Sequence, residues 1–213
     1  MDRQTCLGAF EAELLEVLGR AFIILHERAA ASAGKVRWAD KNPENVLYLN
    51  QWQILLSDSS LMIHVARNLL DTLAAIKEIK FPLIIPDDLE RRIAHYRRYT
   101  QMGLDFSEAC PDRSYRLICE QLVTSPIETL EDLMRWLGEM FEPDQLMFNR
   151  FPQQAGLEDP KIAHTDEIHD ESIGRWPAVL SREEAQTIWL ETREIWARID
   201  PDNRMGLAFD MKP

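Results

Sequence analysis

The chain has 213 residues, 46% hydrophobic and 28% charged, a size and balance that suit one globular domain spanning 1–213 and exclude a disordered or fibrous polypeptide. Its 24 Lys and Arg stand against 36 Asp and Glu, a net charge of -12, which excludes broad nonspecific attraction to nucleic acid or to an acidic membrane. Cys6, Cys110 and Cys119 show neither metal-type spacing nor a disulfide framework, which fits a reducing, cytoplasmic setting, and no apolar run is long enough to span a bilayer.

Phe10, Leu14, Leu15, Leu18, Phe22, Ile23 and Leu25 recur at helical spacing, so one long helix is predicted over 10–33, stopped by Gly34. Residues 36–39 are predicted as a short strand, followed by the turn Asp40-Lys41-Asn42-Pro43 and a helix over 44–56. Lys41 in that turn can reach an anion or can be a solvated turn lysine. The run Leu61-Met62-Ile63-His64-Val65-Ala66 is short and apolar, as expected for a parallel strand covered on both faces. Asn68 is the predicted N-cap of the next helix, with Asp71 at its third position. Arg67 therefore falls at the carboxyl end of a strand and beside a helix N-terminus, where open α/β sheets hold anions. Its planar fork suits a phosphate; the plainer alternative is an ion pair with a structural carboxylate such as Asp71.

A Pro-bounded connection at 81–86 precedes a helix predicted over 87–99. Arg91, Arg92, His95, Arg97 and Arg98 on it either steer an anionic ligand or form a solvated face. Residues 115–122 read as a strand, and Ser125, Pro126 and Glu128 as a helix start running to Gly138. The stretch 151–176 has little periodicity and the length of a functional lid. It carries His164, Asp166, Glu167, His169, Asp170 and Glu171, which match no metal-ligand pattern, so no metal is expected. Ser181 and Glu184 open the last helix, with Ile188, Trp189, Ile195 and Trp196 on its apolar face; 204–209 stay unassigned. The order of elements is that of an α/β protein with a small parallel sheet.

Four landmarks in this order resemble the sulfotransferases that use 3′-phosphoadenosine 5′-phosphosulfate (PAPS), the bacterial branch above all. Trp38-Ala39-Asp40-Lys41-Asn42-Pro43-Glu44-Asn45 resembles the W-x-D-K-T-P-x-N element. Ile63 to Thr72 resembles the strand that ends in Arg and leads into N-P-L-D-T. Cys119-Glu120-Gln121-Leu122-Val123 stands where the family has Y-E-D-L-V, and Gly174-Arg175-Trp176 matches its G-R-W. The likeness covers roughly 36–199. It implies a three-layer P-loop fold, a small parallel sheet flanked by helices, and sulfuryl transfer from PAPS to a hydroxyl or amine on a small-molecule, glycan or peptide acceptor. By the same likeness Arg67 binds the 3′-phosphate, Gly174 and Arg175 close over it, and Lys41 stands by the sulfuryl group.

The sequence also departs from the pattern. The family's first strand and Gly-rich loop, which cradles the 5′-phosphosulfate, have no counterpart within these 213 residues, so a truncated member is expected, prone to self-association. The Ser eight residues after the Arg is Ala75, the Tyr by the adenine is Cys119, and the Thr after Lys41 is Asn42. An inactive family member acting as a binding or interaction module is therefore a standing alternative. An unrelated kinase-like domain is disfavoured, because no G-x-x-x-x-G-K-[ST] loop occurs in the chain.

Overall fold

The computed structural model describes residues 3–79, 88–147 and 167–202. The chain divides into two compact units, Met1–Leu61 and Met62–Pro213. In the first, α1 (Arg3–Ser32) ends where Gly34 takes φ +68°, a left-handed stop that lets the Lys35 N–H reach back to the Ala30 carbonyl at 2.8 Å. A 3-10 turn (Pro43–Tyr48), with Asn42 as its cap and Pro43 at its first position, leads into α2 (Leu49–Leu56). The expected strand at 36–39 does not form. Trp38 instead packs its ring 4.7 Å from His26, which lies 4.0 Å from Phe22, while Trp52 of α2 meets Phe22 at 5.7 Å. Ring packing on α1, not a backbone ladder, places this segment.

The second unit is built on two parallel strands. The first, β1 (Met62–Ala66), pairs with β2 (Ser114–Ile118) in the register Met62↔Ser114 to Ala66↔Ile118. Around them lie α3 (Leu69–Ile79), α4 (Leu89–Ala109), α5 (Cys119–Thr124), α6 (Pro126–Leu137) and α7 (Arg182–Ile199). Leu69, Leu70, Leu73, Leu104, Ile118 and Ile188 are fully buried and pin α3, α4, β2 and α7 together, each side chain contributing about 1.5–3 kcal/mol. The capping box expected of Ser181 and Glu184 is present, with Glu184 N–H donating to Ser181 Oγ and Ser181 N–H to Glu184 Oε2.

Several expectations change. Ile63 and Val65 are 40% and 58% exposed, so β1 is covered on one face and not on both. The strand expected at 115–122 stops at Ile118, and Cys119 opens α5. The helix expected at 87–99 runs to Ala109, because Thr100, Gly103, Leu104 and Phe106 continue its buried face. Three of its basic residues have partners within the protein: Arg91 pairs with Asp88, Arg97 with Glu191 of α7, and Arg92 is buried with Nε 3.3 Å from the Asp88 carbonyl. The readings at 81–86, 151–166 and 204–209 lie outside the described residues. No described helix is long and apolar enough to cross a membrane.

Candidate functional site

The site forms where β1 ends. Ala66 is the last strand residue, Arg67 follows, and Asn68 caps α3. Asn68 Oδ1 accepts from the N–H groups of Leu70 at 2.9 Å and Asp71 at 3.2 Å, and its carbonyl accepts from Thr72 N–H at 2.9 Å. These first-turn donors are satisfied within the protein, so an anion here has to be held mainly by a side-chain cation. Arg67 supplies one. It lines a cleft of about 260 Å³ together with His64, Thr72, Ala75, Tyr96 and Thr100. Its Nη2 donates to the Ser172 carbonyl at 2.9 Å; a guanidinium has five donors, so one bond fixes its plane and leaves others for a ligand.

Two buried carboxylates organise this corner, and Asp71 does not take the capping role that its position suggests. In a capping box the third helical residue reaches back to the N-cap N–H. Here Glu120, fifty-two positions on, takes that N–H: Oε1 accepts from Asn68 N at 2.8 Å. Glu120 Oε2 meets no donor among the described residues. Burial raises the Glu120 carboxyl above its ordinary range, outweighing the Asn68 N–H and the Arg67 charge that oppose the shift. Asp71, only 2% exposed, is thereby free to face the 172–176 loop. Its Oδ2 accepts from Gly174 N–H at 2.7 Å and its Oδ1 from Trp176 N–H at 2.9 Å. Gly174 sits at φ +71°, where glycine is favoured. Farther along α3, Arg175 meets Glu78 at 3.3 Å, and Lys77 Nζ donates to the Val179 carbonyl at 3.1 Å and to Glu184. The segment from Ser172 to Val179 is thus strapped along α3.

Five of the sequence candidates therefore share one unit and one corner. Arg67 and Ala75 line the cleft, Gly174 and Arg175 lie on the strapped loop, and Cys119 starts α5 within reach of the Arg67 charge. The Cys119 thiol is pushed up by burial and by Glu120, against Arg67, so it stays protonated and is a poor nucleophile. Lys41 is exposed in the first unit, in the segment before the Asn42-capped turn. Among the described residues no three His, Cys, Asp or Glu cluster as metal ligands; His164 and Asp166 lie outside them.

Sequence reasoning left out the inner wall of the cleft. His64 opposes Arg116 across the strand pair. Burial and that charge lower its pKa from 6.5 to about 4, and its Nδ1 is buried without a hydrogen-bond partner among the described residues. Gly103 makes room for the ring, since a Cβ there would lie 2.7 Å from His64 Cε1. Tyr96, half-buried on α4, has its pKa raised by desolvation, against a hydrogen bond to Thr100. A Gly in the middle of a long helix was the one sequence signal of this contact.

No protein-family model matches the chain, and no curated protein matches it. Among solved structures it is similar to the sulfotransferase domain from the curacin biosynthetic pathway, with a TM-score of 0.62 and 17% identity, covering 82% of this chain and 67% of that one. The fold is sulfotransferase-like. At this identity the likeness carries architecture alone, and the chemistry has to be argued from the cleft.

Proposed function

We propose that the chain binds PAPS by its 3′-phosphate and serves sulfuryl transfer to a hydroxyl or amine acceptor. The observation that supports this is Arg67, set at the end of β1 in the wall of a cleft and oriented by the Ser172 carbonyl. A guanidinium presented in this way can hold two phosphate oxygens, each charge-assisted bond worth about 1.5–3 kcal/mol. Arg175 and the Gly174 backbone stand on the loop next to it. Ala75 offers no hydroxyl where the family has one, which leaves more of the 3′-phosphate to Arg67. PAPS supplies the activated sulfuryl group. In the transfer an acceptor oxygen or nitrogen forms the new bond to sulfur as the bond to the 5′-phosphate breaks, PAP leaves, and the acceptor's proton is released to water.

A second reading, binding without turnover, is favoured by the titratable groups of the cleft. His64 titrates at about 4 and Tyr96 is shifted upward, so neither is poised as a base near neutral pH.

A thermal melt with 3′-phosphoadenosine 5′-phosphate (PAP) tests the shared core of both readings. At one hundred times its Kd the ligand should stabilise by about 2.7 kcal/mol, and Arg67→Ala should abolish the shift. No shift at millimolar PAP refutes the proposal. If PAP binds, release of PAP from PAPS in the presence of mixed phenol and amine acceptors separates transfer from binding alone.

A further inference from the structure

We infer that Asp71 is a positioning residue for the anion site: its buried carboxylate holds the loop bearing Gly174 and Arg175 beside Arg67. The inference rests on the proposed 3′-phosphate reading and deepens it. A buried carboxylate is costly unless its oxygens are satisfied. Asp71 is 2% exposed, and both of its oxygens accept backbone N–H groups of one loop, Gly174 at 2.7 Å and Trp176 at 2.9 Å. The same loop presents the Ser172 carbonyl that fixes Arg67, and Arg175 lies between the two clasped amides. One carboxylate therefore fixes the loop whose Ser172 carbonyl orients Arg67 and whose backbone carries Arg175, the Arg175 guanidinium itself pairing with Glu78 at 3.3 Å. The arrangement depends on Glu120, which satisfies the Asn68 N–H and so relieves Asp71 of capping duty.

The sign of the expected effect is diagnostic. Asp71 is a negative charge close to a proposed anion site, and by charge alone its removal should tighten phosphate binding. If it works as a clasp, its removal should weaken binding. Asn has the shape of Asp but one acceptor oxygen, so Asp71→Asn loses one loop bond and sets an NH2 group against an N–H donor.

The test is calorimetric titration of the full chain with PAP and with adenosine 5′-phosphate. The ratio of the two Kd values isolates the 3′-phosphate. The parent should favour PAP at least tenfold, and Arg67→Ala should bring the ratio close to one. Asp71→Asn should lower the ratio threefold to tenfold with the Kd for adenosine 5′-phosphate unchanged, and trypsin should cleave faster at the Arg175–Trp176 bond while the melt stays cooperative. A parent ratio near one overturns the phosphate reading itself. A large parent ratio that Arg67→Ala removes and Asp71→Asn keeps or raises overturns the positioning role alone. Should Asp71→Asn fail to fold, hydrogen exchange in the parent decides: PAP should slow exchange at the Gly174 and Trp176 amides, and unchanged rates there overturn the inference.

Discussion

His64 should make the protein acid-sensitive between pH 6.5 and 4. Its imidazole is held neutral because a charged ring would be buried next to the Arg116 guanidinium, which is itself fixed by bonds from Nη1 to the carbonyls of Arg198 and Ile199 at 3.0 and 2.8 Å. The folded pKa of about 4 lies below the ordinary 6.5. The unfolded chain therefore binds the proton more readily, and the stabilisation is complete above pH 6.5 and is lost as pH falls toward 4. A shift of this size corresponds to about 3 kcal/mol in full, of which about 2 kcal/mol is lost by pH 5. The perturbation is His64→Gln, which removes the titration. Urea unfolding of parent and variant at pH 7.5 and pH 5.0 gives four free energies. The parent should lose about 2 kcal/mol more than the variant on acidification, or about 4–8 °C in Tm, and carboxylate contributions common to both cancel. Equal losses, or a His64 ring resonance titrating near 6.5, would refute the reasoning.

Two further substitutions probe the straps around the cleft. Glu120→Gln keeps the oxygen that accepts from Asn68 N–H and removes a buried charge whose second oxygen lacks a donor. Because the folded pKa of Glu120 is raised, its ionisation costs stability above pH 4.5, so the variant should be more stable by about 1 kcal/mol at pH 7.5 and equal to the parent in acid; lower stability at pH 7.5 would contradict this. Lys77→Met cuts the tie from α3 to Val179 and Glu184 and should cost about 1 kcal/mol at neutral pH, a figure reduced for the partial exposure of the pair. Burial alone would raise the Glu184 carboxyl, but bonds from Lys77 and Ser181 lower it. The loss should therefore hold above pH 4.5 and fade as Glu184 protonates below that; a melt series across pH that shows a constant difference would count against the ion pair.

Local rules carried much of the fold. Gly34 stops α1, Asn68 caps α3, and Ser181 with Glu184 opens α7, each from its own side-chain chemistry within a few residues. Arg67 was legible as a candidate for the same reason, since strand, Arg and cap are contiguous. The failures are tertiary. A short run such as Tyr115-Arg116-Leu117-Ile118-Cys119-Glu120 reads equally as strand or helix, and β2 passes at Ile118 directly into α5, whose first turn carries the Glu120 carboxylate to Asn68 N–H. Asp71 looked like a capping residue because its true partners lie more than one hundred residues away. His64 hid in a strand pattern, and only Gly103, thirty-nine positions on, records its ring. Trp38 lay within the strand expected at 36–39, yet in the structure its ring packs tilted against His26 of α1.

The central claim is that the Arg67 corner receives a 3′-phosphate. A crystal structure of the full chain with PAP tests it most directly. The account predicts 3′-phosphate oxygens at about 2.7–2.9 Å from the Arg67 guanidinium, with the Ser172–Trp176 loop folded alongside and Asp71 still accepting from Gly174 and Trp176. PAP bound with its 3′-phosphate away from Arg67 would contradict it.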